Sequence, residues 1–218
     1  MSQPGASTRP TLLLLHGLTF GHEMWSPQIE ALADRLDLLV PDLPGFGASP
    51  GPFSLERAMQ QLEPVIQGHG DVNVCGLSLG AMVALHLAAG SQRSTVKALV
   101  LSGVQLRPPR LLIRVQEQVM KLVPASRYSA EDASVTKPAV LAAMRALVSV
   151  DLRPDLGRVR ARTLVLCGSK DRLNLGAARA AAAGIPGGEL RVIEGAGHVW
   201  NREQPALFND TVIRWLNA

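Results

Sequence analysis

Val72-Asn73-Val74-Cys75-Gly76-Leu77-Ser78-Leu79-Gly80-Ala81-Met82-Val83-Ala84-Leu85 passes from one apolar run, through a serine flanked by glycines, into another. The run at 72–75 has the β-branched character of a buried strand, while the apolar residues after Gly80 continue as a helix to about 89. Between them lies Gly-x-Ser-x-Gly, whose chemistry requires a strand, a sharp turn and a helix in that order. Side chains two residues either side of the serine would strike neighbouring backbone in so tight a turn, and Gly76 and Gly80 carry none. The turn aims the Ser78 hydroxyl above the sheet edge, beside the positive end of the helix that follows. A strand feeding a helix in this way is the repeating unit of a parallel sheet with helices on both faces.

The same beat extends in both directions from this unit. Apolar runs at 11–15, 36–41, 71–75, 96–102, 163–167 and 190–194 read as about six strands, continuous rather than alternating as buried parallel strands must be. Helical patterns fall near 25–35, 54–67, 79–89, 175–184 and 203–216; the last turns Leu207, Val212, Ile213, Trp215 and Leu216 toward the core. Residues 103–162 are too long for a simple crossover. Two helical periodicities lie within them, punctuated by Pro124 and Pro138, and they read as a small helical cap inserted in a single domain spanning 1–218. Leu111, Leu112, Val115, Val119 and Met120 are expected to face the cleft beneath.

The bulk properties narrow the class. The chain has 218 residues, 47% hydrophobic and 18% charged, a globular composition sized for one domain. Residues 1–9 read as a lead-in. No apolar run approaches the roughly 20 residues that span a bilayer, so no membrane is expected. The formal charge is +4, but Lys and Arg are scattered. The densest group, Arg153, Arg158, Arg160 and Arg162, precedes a strand, away from the edge where parallel sheets place their chemistry. No nucleic-acid partner is expected. Cys75 and Cys167 lie in apolar strands and read as reduced, buried thiols in a cytoplasmic protein.

A serine hydroxyl needs a base. His198, in Glu194-Gly195-Ala196-Gly197-His198, lies on a glycine-rich loop after the last strand that can reach back over the sheet edge. His86 falls inside the helix after Ser78 and reads as packed; His22 and His69 lie in loops without a partner pattern. Asp171, in Gly168-Ser169-Lys170-Asp171, follows the 163–167 strand at its C-terminal end and can orient the imidazole. Asp151 and Asp155 precede that strand and belong near its far end. Charge developing on a substrate oxygen calls for preorganised donors. The backbone N–H of Leu79, at the helix start, and that of Leu18, in the loop after the first strand, are placed to serve as an oxyanion hole.

With these residues assembled, the chain resembles the α/β-hydrolase superfamily, and within it the small carboxylesterase branch. The agreeing segments are His16-Gly17-Leu18, Asp42-Leu43-Pro44-Gly45-Phe46-Gly47-Ala48-Ser49, the Ser78 turn, Gly168-Ser169-Lys170-Asp171 and Gly197-His198, in the family's order. The resemblance implies an α/β fold trimmed to six strands in the spatial order 2-1-3-4-5-6, because too few residues precede the first strand for two additional ones. It implies a carboxylic ester hydrolase with no metal and no organic cofactor, in line with the Ser78–Asp171–His198 triad read from the residues. The apolar cap residues expected to face the cleft point to a small-molecule ester with a short or medium apolar acyl group. The same scaffold also carries serine-triad lyases and cofactor-free haloperoxidases, and a non-catalytic binding module is a further alternative. Oligomeric state leaves no mark in the sequence.

Overall fold

Six strands form one sheet in the order β2-β1-β3-β4-β5-β6, every neighbouring pair parallel. They are β1 (Thr11–Leu15), β2 (Asp37–Leu39), β3 (Val72–Leu77), β4 (Val96–Ser102), β5 (Arg162–Gly168) and β6 (Glu189–Ile193). The computed structural model describes residues 9–124 and 135–217, with 92 and 94 excepted. All six strands and their order follow the sequence reading. The main difference in extent is β2, three residues where 36–41 was expected, at an edge where all three are only half-buried.

The helices are α1 (Ser26–Leu32), α2 (Leu55–Gln67), α3 (Leu79–Ala89), α4 (Arg110–Leu122), α5 (Lys137–Leu147), α6 (Arg172–Gly184), the short α7 (Trp200–Glu203) and α8 (Pro205–Leu216). Alternate strand residues feed two cores, as the pleat requires. Leu13, Leu15, Leu99, Leu101 and Val165 pack on one face with α2, α3 and the insert helices. Leu12, Leu14, Val100, Leu164 and Leu166 pack on the other, against Trp25, Trp200, Phe208 and Trp215. Cys75 and Cys167 belong to opposite faces and are free and buried. Central α3 is buried at every residue but His86, the mark of a helix enclosed on all sides.

Two expectations about facing are corrected. On α8 it is Phe208, not Leu207, that enters the core, beside Val212 and Trp215; Leu207 is exposed. On α4 the stripe Leu111, Val115, Val119 and Leu122 turns to solvent. The opposite stripe, Ile113 and Glu117 with half-buried Met120, faces the body. Glu117 is held there by Arg145 of α5 at 2.8 Å and by Lys121 at 3.2 Å. The helix therefore has an apolar outer stripe as well as an inner one, and the side chain of Leu112 lies outside the described residues. Arginines leading into β5 are engaged locally: Arg153 pairs with Asp151 and Arg158 with Asp155 at 3.8 Å, while Arg162, the first residue of the strand, covers the Trp215 ring at 4.2 Å.

Candidate active site

β3 ends at Leu77 and α3 begins at Leu79, so Ser78 alone makes the turn between them. Its φ of 56° is the only positive value at a non-glycine among the described residues, a conformation that costs of order 1–3 kcal/mol and persists only where the surroundings enforce it. The enforcement is visible. A side chain at Gly76 would strike the Gly80 carbonyl, and one at Gly80 would strike the Leu15 carbonyl. The Ser78 N–H donates to the Ser102 carbonyl at 2.9 Å, tying the turn to β4. Leu79 is the first helical residue, so its N–H has no intrahelical acceptor.

The loop after β6 brings His198 to the same edge. Its Nδ1 lies 2.6 Å from Asp171 Oδ2. Asp171 occupies the N-cap position of α6, but its side chain makes no capping bond and is spent on His198 and Asn174 instead. Burial would raise the Asp171 pKa. The hydrogen bonds from His198 and from the Asn174 amide overcome this and hold the carboxyl below its usual range. A charged Asp171 fixes the imidazole with Nδ1 protonated and Nε2 carrying the free lone pair. Gly103, at the end of β4 with φ +60°, makes room: a Cβ there would lie 2.8 Å from His198 Cε1. The loop behind is anchored by Trp200, whose indole N–H donates to Ser102 Oγ at 3.0 Å.

These groups open into one cleft of about 370 Å³. Ser78, His198 and Asp171 line it together with Leu18 and Leu79, so all five residues singled out from the sequence meet there. Its walls are otherwise mainly apolar: Met82 from α3, Pro108, Pro109 and Ile113 from the first half of the insert, Met144 and Leu147 from α5, and Leu173. Of the apolar residues expected to face this cleft, Leu111, Val115, Val119 and Met120 do not line it; Ile113 does so from the other side of α4. Gln105, Gln116 and Asn174 also line the cleft and carry the polar lining that sequence reasoning missed. A larger hollow of about 740 Å³ lies beside Asp42, Ser49, Arg57 and Gln61. It is open to solvent and holds none of the five.

The remaining histidines have structural partners. His16 is buried and accepts from the Leu43 N–H through Nε2 at 2.9 Å, pinning the loop after β1 to the loop after β2. His22, read as partnerless, lies 3.0 Å from Asp42 Oδ1. His86, read as packed within its helix, instead reaches Asp155 at 2.6 Å with a partly exposed ring. Neither pair lies against Ser78. Burial pushes the Cys167 thiol, beside Asp171, up to about 11, so it stays protonated.

Residues 12–211 match the model of the alpha/beta hydrolase family. RutD of Serratia proteamaculans, provisionally named a carbamate hydrolase, is 27% identical, with 95% of this chain and 91% of the relative covered. The pimeloyl-[acyl-carrier protein] methyl ester esterase of Aromatoleum aromaticum is 44% identical over 82 residues, 37% of this chain and 32% of that protein. Among solved structures, an esterase from Exiguobacterium antarcticum superposes with a TM-score of 0.85 at 20% identity, covering 98% of this chain and 93% of that one; at that identity the likeness is one of fold. No helix among the described residues is long and apolar enough to cross a membrane.

Proposed function

The chain belongs to the alpha/beta hydrolase family, and from that premise we propose that it is a serine hydrolase cleaving carboxylic esters of a short or medium apolar acid. The observation that carries the reading is a single cleft holding a serine at φ 56° together with a histidine bonded to a charged aspartate at 2.6 Å. Nε2 of His198 takes the Ser78 proton as Oγ bonds to the ester carbonyl carbon. The carbonyl oxygen gains the charge and is held by the Leu18 and Leu79 N–H groups. The imidazolium, stabilised by Asp171, gives its proton to the leaving alcohol as the C–O bond breaks. Water, deprotonated by the same nitrogen, then releases the acid and regenerates Ser78. No metal or organic cofactor enters these steps, and a small-molecule ester is the only partner they need.

The apolar walls, with no lysine or arginine among the described lining residues, favour an uncharged acyl group. A cleft of 370 Å³ sits near the small end of ligand sites. The two insert helices form part of its wall, in keeping with a cap. Likeness to RutD over nearly the whole chain favours a second reading, a carbamate as substrate; the acyl-transfer steps are the same.

The test is release of p-nitrophenol from acetate, butyrate and octanoate esters and from a matched carbamate, by wild type and Ser78→Ala side by side. Ester turnover that collapses at least a thousandfold in the variant supports the proposal. Preference for the carbamate moves the substrate to the second reading. No turnover with Ser78 still labelled by a fluorophosphonate points to lyase chemistry, and no labelling refutes the triad.

A further inference from the structure

Asn174 lies three residues past Asp171, so both side chains leave the same end of α6. Asn174 Nδ2 is 2.7 Å from Oδ1 and 2.9 Å from Oδ2 of Asp171. A group that close to both oxygens of a carboxylate must be the donating NH2, which turns the amide oxygen the other way. There it accepts from Gln105 Nε2 at 2.6 Å, and the same nitrogen lies 3.1 Å from the Leu173 carbonyl. Nδ2 of Asn174 also lies 3.1 Å from His198 Nδ1. Both nitrogens are donors while Nδ1 serves Asp171, so this contact sets a positive dipole against the imidazole rather than a hydrogen bond.

We propose that Gln105 and Asn174 are positioning residues for the triad: Gln105 fixes the Asn174 amide so that its NH2 group bridges both oxygens of Asp171 and holds the carboxylate toward His198. The proposal rests on reading Ser78, His198 and Asp171 as the triad. Neither carboxamide transfers a proton or meets the reacting carbonyl. Their effect is geometric and electrostatic. Two donated bonds clamp the Asp171 oxygens, and the amide dipole draws part of the carboxylate charge away from the imidazole. Gln105 belongs to the segment leaving β4 toward α4, 69 residues from Asn174, so the relay also ties the root of the insert to the catalytic base. Of the charged groups around the site, Arg179 of α6 bears on Cys167, and the Glu203 carboxylate of α7 sits against Gly197. Neither bonds to Asn174.

Loss of the relay has a predictable sign. Without the amide, the full Asp171 charge falls on His198 and favours the imidazolium, so the free base forms at higher pH. The experiment measures kcat and KM for p-nitrophenyl butyrate across pH in wild type, Asn174→Leu, Gln105→Leu, Gln105→Glu and the Leu/Leu double variant, with Ser78→Ala and thermal melts as controls. Asn174→Leu should lower kcat about tenfold and leave KM within about twofold, as loss of orientation does, and the acid limb of kcat/KM should move upward. Gln105→Glu is nearly isosteric but accepts only. It reverses the Asn174 amide and should reproduce both effects. The double variant should be no worse than Asn174→Leu, because the two act as one unit. Both residues are only half-buried, so the variants should fold. An unmoved acid limb in both Asn174→Leu and Gln105→Glu, or additive losses in the double variant, overturns the relay. If Ser78→Ala keeps activity, the triad reading itself falls, a result distinct from an inert Asn174.

Discussion

Replacing Gly103 by alanine should slow catalysis about tenfold while leaving substrate binding nearly intact. An alanine Cβ at that position would lie 2.8 Å from His198 Cε1, 3.0 Å from Nδ1 and 3.4 Å from Asp171 Oδ2. Ordinary carbon contacts begin near 3.4 Å, so the imidazole must retreat by about 0.6 Å, the difference between that limit and 2.8 Å. Misplacing a catalytic group by an ångström can cost about a hundredfold, and a shift of about 0.6 Å then costs about ten. The backbone contributes separately: φ at Gly103 is +60°, and a left-handed residue with a Cβ costs about 1–2 kcal/mol. For a chain of this size that lowers Tm by about 2–8 °C. Steady-state kinetics with p-nitrophenyl butyrate and a circular dichroism melt separate the two effects, because only the first depends on the imidazole. A variant that melts earlier but keeps the wild-type kcat would refute the reasoning. It would mean the His198 loop yields freely and the imidazole position is not held by the end of β4.

Two further predictions concern the rest of the chain. The Asp42 carboxyl is held low: burial pushes its pKa up, but donation from the His22 backbone at 2.7 Å, its ring, and the Ala48 N–H outweighs that. A group held low lends stability above its unfolded pKa of about 3.9 and loses it as pH falls through the folded value. Asp42→Asn should therefore cost about 1–2 kcal/mol at pH 7, with the gap narrowing progressively once the pH falls below the unfolded carboxylate value; urea midpoints at neutral and acid pH test this, and a constant gap would contradict it. On α4, Ile113→Ala should cost about 2 kcal/mol or more and shift preference toward longer acyl chains. Leu111→Ser, at 76% exposed, should change stability by less than about 0.5 kcal/mol. Equal losses in denaturant titrations would mean that the outer stripe of α4 is covered.

Much of the fold was legible because buried parallel strands leave a simple trace. Each of the six central runs is apolar and bounded by turn residues, and the connection lengths leave few ways to lay them side by side. The elbow was legible for a similar reason, since the steric demand of its turn selects glycine at 76 and 80 in the local sequence. What stayed hidden depended on facing or on distance along the chain. The period of Leu111, Val115 and Val119 marks an amphipathic helix but not which stripe meets the body. That choice was made by Ile113 and by the Glu117–Arg145 pair, 28 residues apart. Asn174 and Gln105 are 69 residues apart, and His22–Asp42 and His86–Asp155 are 20 and 69 apart. Hydrogen bonds of that range leave no pattern in either partner's neighbourhood. Asp171 was singled out by its placement at a strand end, not by its partner.

The strand order has a consequence for how the protein comes into being. Each β1 residue pairs with one about 61 positions later, as Leu15 does with Gly76, and β5 reaches β4 only after the whole insert has been made. Contacts so distant in sequence must be closed against the entropy of long intervening chain, which makes parallel sheets slow to assemble. Ser78 lies near the first third of the chain, whereas His198 follows the last strand and is braced by Trp200 against Ser102. During synthesis from the N-terminus, Ser78 is therefore laid down long before the histidine proposed to activate it. On the proposed mechanism a nascent or truncated chain would be chemically silent, and hydrolytic activity would report completion of the fold.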